Sequence, residues 1–257
     1  MKIGILGAGQ MGSAMIRGWL NADLVTPQQL FVKGGHSGSA EKLQQALHFQ
    51  LVTELTELKT VDVLVIATLP KLVVPLLQEL KKVPAFSAPI ASVAAGVSLH
   101  AMQTIMGERY PLASALPNTP VAINEGVTAI AFPETISLEA KKTLQQTFEA
   151  LGKVIIAPEE QIAAINTVAG CGPAFVDLMM EALSDAAVKH GIPRAQSYEI
   201  ISQMLIGSGR LQQVTNQHPA ELKEAVTTPG GLTIKGVTAL EEYGFRNALI
   251  KAIDAIL

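Results

Sequence analysis

The stretch Gly7-Ala8-Gly9-Gln10-Met11-Gly12 decides the fold of the first half of the chain. It follows the strand-like run Met1–Leu6 and precedes a segment with helical periodicity. In such a strand–turn–helix unit, the first glycine of G-x-G-x-x-G permits a tight turn and the second lets the backbone approach a pyrophosphate. The third packs the helix on the strand, and the first helical amides face the phosphates. The pattern predicts a dinucleotide site formed by these six residues, with a purely structural turn as the alternative.

The first 158 residues alternate short apolar runs with amphipathic segments, which indicates repeated β-α-β units and a parallel sheet. The predicted strands are Lys2–Leu6, Gln29–Val32, Val61–Ala67, Ile90–Val93, Pro111–Ala115, Val127–Phe132 and Gly152–Ile156. The predicted helices between them are Gln10–Ala22, Gly38–Ala46, Leu72–Lys81, Ser98–Met106 and Leu138–Leu151. Several strands are uninterrupted apolar runs, as expected where helices cover both faces of a sheet. The fold class predicted for this part is α/β, a doubly wound domain.

After Pro158 the chain shows no further strand-like run and changes to long helical periodicities. The predicted helices are Gln161–Gly191, Arg194–Gln213, Pro219–Val226 and Leu232–Ile256. The charge balance also changes, because residues 1–158 hold 12 basic and 11 acidic side chains whereas the remainder holds 7 and 11. We therefore predict two domains, residues 1–158 and residues 159–257. The second is rich in alanine and too small for a thick core, which favours a homodimer formed through it.

The composition excludes several classes of protein. Hydrophobic residues make up 49% of the 257 residues and charged residues 16%, so the chain is not of the disordered class. A formal net charge of −3 offers no broad basic surface for a nucleic acid. The chain has a single cysteine and no metal-ligand spacing, and neither a signal-peptide pattern nor an apolar run long enough for a membrane is apparent in the sequence. We expect a cytoplasmic protein with no metal, membrane or nucleic-acid partner.

The end of the second predicted strand indicates which dinucleotide is bound. NAD-binding proteins carry an acidic residue about 20 positions beyond the glycine loop, where it binds the ribose 2′-hydroxyl. Here that region offers Lys33, His36 and Ser37 instead of an acid. A cation and hydrogen-bond donors suit a 2′-phosphate. Lys33 and Ser37 are therefore predicted to bind NADP(H) in preference to NAD(H), with a solvated turn as the alternative.

Other catalytic groups are scarce. The five histidines are scattered, no G-x-S-x-G nucleophile motif occurs, and Cys171 has no activating base near it in the sequence. Cys171 is therefore assigned to packing or to a substrate pocket. The scarcity of catalytic side chains favours a reaction that needs few of them. Hydride transfer is such a reaction, because the cofactor supplies the chemistry.

Four further segments occur with the glycine loop in a fixed order: Ser92–Val97, Leu116–Pro120, Gly170–Phe175 and Thr228–Thr233. At these distances the five segments together resemble the pyrroline-5-carboxylate reductase family, and the likeness extends over the whole chain. The resemblance implies a Rossmann-like domain followed by an all-helical dimerisation domain, with each active site at the dimer seam. It also implies that NAD(P)H reduces Δ1-pyrroline-5-carboxylate to proline.

The same resemblance implies which residues form the site. The nicotinamide side of the cofactor would be lined by Ala67, Thr68, Leu69, Pro70, Val93, Ala94 and Ala95. The substrate would be held by Thr228, Gly230, Gly231, Leu232 and Thr233, beside Cys171. A Pro-Gly-Gly turn before a helix exposes consecutive amides, which suits a carboxylate. Thr233 would be catalytic, bonding and orienting the nitrogen of a substrate imine that arrives already protonated. The alternative for Thr228 or Thr233 is an ordinary helix cap.

Other positions leave alternatives open. Asn118 and Thr119 are predicted to form a rigid turn whose side chains can bond their own backbone, and to shape the cleft between the domains. Gly170 and Gly172-Pro173 predict either a kink or the end of a helix.

Five residues depart from the family pattern: Glu54, Leu69, Ser114, Cys171 and Leu232. The departures at Leu69, Ser114 and Leu232 keep open a cofactor-binding relative without catalysis. A second alternative is a related NADP-dependent reductase of 2-oxo or 2-hydroxy acids built on the same two-domain plan.

Overall fold

The computed structural model describes residues 1–35 and 37–257. Within it the chain forms two compact units, Met1–Cys171 and Gly172–Leu257. The first compact unit extends 13 residues beyond the domain boundary predicted at Pro158. That boundary stays a prediction.

The first unit is built on one eight-stranded sheet. Its strands are β1 Ile3–Leu6, β2 Leu30–Lys33, β3 Gln50–Leu51, β4 Val63–Ile66, β5 Ile90–Ser92, β6 Leu112–Pro117, β7 Gly126–Ala131 and β8 Gly152–Ile156. Their order is β3-β2-β1-β4-β5-β6-β7-β8. All seven predicted strands are present, six with shifted ends and Gly152–Ile156 as predicted. The two-residue β3 was missed because it is too short to show a hydrophobic pattern. The predicted doubly wound α/β class is confirmed.

The prediction of a parallel sheet is wrong at one junction. β6 and β7 pair antiparallel, whereas the six other neighbouring pairs are parallel. A parallel connection needs a crossover of about a dozen residues or more. The segment between Pro117 and Gly126 is shorter than that and holds only the short 3₁₀ helix Thr119–Ile123. The chain therefore reverses direction there.

Helices cover both faces of the sheet. They are α1 Gln10–Asn21, α2 Ser39–Leu47, α3 Pro70–Leu80, α4 Leu99–Met106, α5 Leu138–Glu149 and α6 Glu159–Asn166. Short 3₁₀ helices lie at Pro27–Gln29 and Leu55–Thr60. One core includes the buried Trp19 and Phe148, and the indole of Trp19 donates to the Thr147 carbonyl oxygen at 2.8 Å. The other core, on the opposite face, includes Leu64 and Leu77. The strands are therefore almost wholly apolar because both of their faces are buried.

A π-helical turn, Thr167–Cys171, follows α6 at the end of the first unit. Both sequence interpretations of this region, a kink or a helix end, missed it. A π turn inserts one extra residue into the helical ladder and is frequent at functional sites.

The second unit is entirely helical. It consists of α7 Gly172–Lys189, α8 Arg194–Thr215, α9 Pro219–Ala225, α10 Leu232–Glu242 and α11 Phe245–Asp254. The single helix predicted over Leu232–Ile256 is wrong, because Gly244 at φ +74° breaks it into α10 and α11. Residues 172–257 are all described, and only Ser184, Ser197 and Ile201 among them are buried. The unit thus lacks a core of its own.

The segment Glu159–Lys189 is long and apolar enough, at a mean hydropathy of 1.4, to pass a test for a membrane span. A single such helix is weak evidence, because an apolar helix covered by protein passes the same test.

Candidate active site

The predicted cofactor residues lie at one edge of the sheet. β1, β4 and β5 run parallel, so the loops that follow them leave from the same carboxyl edge. These loops contain Gly7–Gly12, Ala67–Pro70 and Val93–Ala95. β1 lies between β2 and β4, which is the position where the strand order reverses and where open α/β sheets bind their ligands. The structure therefore brings all three predicted segments to one edge of the sheet.

The three glycines of the loop have different roles in the packing. Gly7 has φ +103°, and a Cβ there would overlap the Ala67 carbonyl. A Cβ on Gly12 would overlap the Gly7 carbonyl oxygen. Gly9 is the exception, since a Cβ on it would have no protein atom within 4 Å. Gly7 and Gly12 are thus required by the fold, whereas Gly9 leaves open space at the backbone.

This open space faces the start of α1. Gly9 is the N-cap residue of α1, and no side chain there accepts a hydrogen bond from the helix. Ala8 is buried, and its carbonyl oxygen accepts from the Ser13 hydroxyl at 2.9 Å. The uncapped amides of the first turn, together with the helix dipole, form an anion site of the kind that holds a pyrophosphate. The residues present therefore fit a dinucleotide.

At the end of β2, the predicted cofactor cation Lys33 already has a protein partner. Lys33 is half-buried and its ammonium group donates to the Thr53 carbonyl oxygen, so part of its donor capacity is already used. Ser37 is exposed and its hydroxyl lies 3.0 Å from that of Ser39. His36 lies outside the described residues. The cation and the hydroxyl flank the loop after β2, where an adenosine ribose would lie in this fold.

An acidic residue near Lys33 was not singled out by the sequence. The Glu57 carboxylate accepts the backbone N–H groups of Glu54 and Thr53, at 2.8 and 2.9 Å. These bonds, with the charge of Lys33, lower the pKa of Glu57 from its ordinary value of 4.5. Glu54, the departure noted in the sequence, is the N-cap of the 3₁₀ helix Leu55–Thr60. The carboxylate of Glu57 is the group that orders this turn.

The segments after β4 and β5 are shaped by short turns. Pro70 is the first residue of α3, with the exposed Leu69 as its N-cap, so α3 begins two residues before the predicted start. The Val93 amide donates to the Ile66 carbonyl oxygen at 3.0 Å, which joins the two segments. Ser114, another departure, is buried in β6. Leu69, Pro70 and Ala95 are exposed at the carboxyl edge, whereas Ala94 is buried.

Asn118 lies just beyond β6 and is only 7% exposed. Its side-chain Oδ1 accepts from the Val127 amide at 2.8 Å, and its Nδ2 donates to the Ala169 carbonyl oxygen at 2.9 Å. The prediction that this side chain bonds its own backbone is therefore wrong. It joins β7 to the π turn that carries Cys171, and sequence reasoning did not identify Ala169 or Val127.

The predicted substrate turn lies in the second unit. The Gly231 amide donates to the Thr228 carbonyl oxygen at 2.9 Å, and Gly230 has φ +71°, which closes a tight turn before α10. Gly231 is the N-cap of α10 and no side chain caps the helix, so Thr228 and Thr233 are not its caps. Leu232 is 85% exposed. The turn presents uncapped amides and two threonines at a helix start, as a carboxylate site requires.

Within the described residues no cluster of His, Cys, Asp and Glu could hold a metal ion.

Two protein families match the chain. The family described as NADP oxidoreductase coenzyme F420-dependent matches residues 2–96. The family described as pyrroline-5-carboxylate reductase dimerisation matches residues 159–257. The first match covers the glycine loop and the strands β1, β4 and β5, and the second covers the turn before α10.

Individual relatives match over nearly the full length. A pyrroline-5-carboxylate reductase of Synechocystis is 34% identical, over 99% of this chain and 95% of the relative. That of Escherichia coli is also 34% identical, over 98% of this chain and 94% of the relative. A solved structure of the Plasmodium falciparum pyrroline carboxylate reductase with NADP bound is 28% identical, with a TM-score of 0.87 over 100% of this chain and 95% of that one. The chain belongs to the pyrroline-5-carboxylate reductase family.

Proposed function

We propose that the protein reduces Δ1-pyrroline-5-carboxylate to L-proline with NADPH as hydride donor. The observation that carries the proposal is the open cradle at Gly9, before the uncapped α1, in a chain that is 34% identical to pyrroline-5-carboxylate reductases over its whole length. The cofactor, when bound, supplies the hydride.

The task of the protein in this proposal is positioning. The first amides of α1 hold the pyrophosphate, and the segments Ala67–Pro70 and Val93–Ala95 set the depth of the nicotinamide. A cyclic imine that arrives protonated needs no strong acid from the protein, so a hydroxyl suffices to orient its nitrogen. Thr233 is the residue proposed for this role, because it lies in the first turn of α10 beside the Thr228–Gly231 turn. Proximity and orientation then provide most of the rate.

The substrate carboxylate is proposed to bind at the start of α10. Thr228, Gly230, Gly231, Leu232 and Thr233 are the proposed substrate residues, with Cys171 as a further wall. The uncapped amides of Gly231 and Leu232 supply N–H donors, and the helix dipole adds a favourable field. Leu232 takes part through its backbone in this proposal, because its side chain is free in solvent.

Selectivity for NADPH is assigned to Lys33 and Ser37. The Lys33 ammonium group has three donors, and one is used by Thr53. Two remain for a 2′-phosphate. The solved P. falciparum relative holds NADP, which supports this proposal.

A homodimer is proposed as the working unit, in the cytoplasm. The second unit, which the dimerisation family matches, exposes a large share of its apolar residues, including Ile206 at 64% and Val214 at 67%. Such surface is costly in water and favours cover by a second copy.

The test is the absorbance of NADPH, followed after adding Δ1-pyrroline-5-carboxylate, a set of 2-oxo acids, or buffer. Steady oxidation with the imine, with proline as the product, supports the proposal. Oxidation with 2-oxo acids alone would establish the alternative reductase, and NADPH binding without any turnover would establish a non-catalytic relative.

A further inference from the structure

We propose that Asn118 is a positioning residue for the reaction, because it fixes the π turn Thr167–Cys171 at the carboxyl edge of the sheet. The turn then forms a wall of the place where the nicotinamide and the imine meet. The role of Asn118 in catalysis rests on the proposed function. Its hydrogen bond to the π turn does not depend on that function.

The orientation of the Asn118 amide follows from its partners. The Val127 amide is a donor, so the oxygen of the side chain must face it at 2.8 Å. The nitrogen is thereby directed at the Ala169 carbonyl oxygen, 2.9 Å away. The backbone amide of Asn118 also donates to the Val127 carbonyl oxygen, at 3.1 Å. Two hydrogen bonds thus fix the orientation of this buried side chain, and a third holds its backbone.

Ala169 needs this donor for a reason that is visible in the sequence. In a regular α-helix the carbonyl of residue 169 accepts from the N–H of residue 173. Residue 173 is a proline, which has no N–H. The Nδ2 group of Asn118 supplies the hydrogen that Pro173 lacks. A tertiary contact therefore provides a donor to Ala169 that the helix cannot provide at residue 173.

The position of Asn118 connects this turn with the site. β6 runs parallel to β5 and β4, so its end lies at the same edge as Ala67–Pro70 and Val93–Ala95. Ser114 pairs with Ser92 at the end of β5, and β6 continues for three more residues to Pro117. Adjacent strands are about 4.8 Å apart, which places β6 about 10 Å from β4. Asn118 therefore lies just beyond the same carboxyl edge from which the two predicted nicotinamide segments leave.

A second polar contact holds the other end of the same helical segment. The Glu159 carboxylate accepts from the Leu99 amide at 2.6 Å, at the start of α4. Glu159 and Asn118 thus fasten α6 and its π turn at both ends. The chain continues from Val93–Ala95 through residues 96–98 into α4, so the two contacts relate the predicted cofactor loop to the turn that carries Cys171.

The experiment uses Cys171 as a reporter, because it is the only cysteine in the chain and is half-buried on the π turn. The full-length variants are Asn118→Asp, which turns an oxygen toward the Ala169 carbonyl, and Asn118→Ala, which removes the donor without adding charge. The matched control is Asn124→Asp. Asn124 is a partly buried asparagine of the same connection whose Nδ2 donates to the Gly18 and Ala150 carbonyl oxygens, both at 2.7 Å, away from the π turn.

The first measurement is the rate at which the Cys171 thiol reacts with a disulfide reagent. We expect both Asn118 variants to react at least about fivefold faster than the wild type, since a lost buried hydrogen bond of about 1 kcal/mol opens the turn by that factor. Asn124→Asp is expected to react at the wild-type rate. An unchanged thiol rate in both Asn118 variants would overturn the proposal whether or not the wild type reduces the imine.

The second measurement separates positioning from general destabilisation. The Asn118 variants are expected to lose about 10- to 100-fold in kcat with Δ1-pyrroline-5-carboxylate, because small misplacements near the reacting atoms are costly. Their NADPH dissociation constant, measured by fluorescence without substrate, is expected to stay within about twofold of the wild type, since the pyrophosphate cradle is untouched. Faster thiol reaction with unchanged kcat would confine Asn118 to structure and overturn its role in the reaction.

Discussion

Gly7 and Ala67 meet at the carboxyl edge of the sheet so closely that a Cβ atom on Gly7 would overlap the Ala67 carbonyl oxygen. The two residues follow β1 and β4, the neighbouring strands at the reversal of strand order. Gly7 also has φ +103°, a backbone angle that residues with a side chain rarely adopt. This contact is the reason that the first glycine of the loop is fixed by the fold, whereas Gly9 two residues later is left open for a ligand.

The first prediction compares these glycines. Gly9→Ala is expected to change the free energy of unfolding by less than about 1 kcal/mol, because its Cβ meets no protein atom. The same methyl group would occupy the cradle and weaken NADPH binding by about tenfold or more, or about 1.4 kcal/mol. Gly7→Ala is expected to cost more than about 2 kcal/mol of stability through strain and overlap. Chemical denaturation and fluorescence titration measure both, and tight NADPH binding by Gly9→Ala would contradict the proposed cradle.

The second prediction concerns the choice of cofactor. Lys33→Gln is expected to lower kcat/KM with NADPH about tenfold or more, since a hydrogen bond to a charged group contributes about 1.5–3 kcal/mol. The value with NADH is expected to change by about twofold or less, because the 2′-phosphate is then absent. Lys59→Gln is the control, since Lys59 is an exposed lysine on the neighbouring 3₁₀ helix. Equal losses with both cofactors would remove Lys33 from the 2′-phosphate site.

The third prediction tests the proposed substrate hydroxyl. Thr233→Ala is expected to lower kcat about 10- to 100-fold while the NADPH dissociation constant is preserved, because the lost bond is made to a cationic imine. Thr238→Ala is the matched control on the same helix. The Thr238 hydroxyl bonds only the α10 backbone, at the Ile234 and Lys235 carbonyl oxygens. Full activity of Thr233→Ala in steady-state kinetics would show that another group orients the substrate.

The fourth prediction follows from the lowered pKa of Glu57. The unfolded carboxyl titrates near 4.5, and the folded one titrates below it because the ionised form accepts two backbone N–H bonds. This contribution to stability is complete above the unfolded pKa and is lost as the pH falls through the folded pKa. The stability difference between wild type and Glu57→Gln should therefore shrink on acidification below 4.5. Urea unfolding over a pH series measures it, with the exposed Glu125→Gln as control; a constant difference would refute the assignment.

The fifth prediction concerns assembly. Ile206→Asp places a charge on an exposed apolar position of α8 and is expected to shift the protein toward monomer in sedimentation velocity. Leu138→Asp makes the same change at a residue of the first unit that is 83% exposed, and is expected to leave the assembly unchanged. A wild type that sediments as a monomer at micromolar concentration would argue against the proposed dimer itself.

Much of the first unit could be predicted from the sequence because its signals are local. Uninterrupted apolar strands and the glycine loop each lie within about ten residues, and local sequence determines such elements. The direction of β7 was missed for a different reason. It depends on the length of the connection after Pro117, which is too short for a crossover. The break at Gly244 was missed because helical periodicity continues on both sides of it.

The sequence by itself determined the identity of the chemistry: the glycines, the absence of an acid after the second strand, and the threonine-rich turn before α10. Only the tertiary structure decided how the chain deals with Pro173. A proline in a helical sequence indicates a missing N–H donor, but the sequence does not indicate which distant group replaces that donor. The replacement comes from Asn118, 51 residues away from Ala169 along the chain. A buried polar group such as the Asn118 amide must be hydrogen-bonded, and its partner is whichever group the fold places beside it. No local sequence pattern predicts that partner.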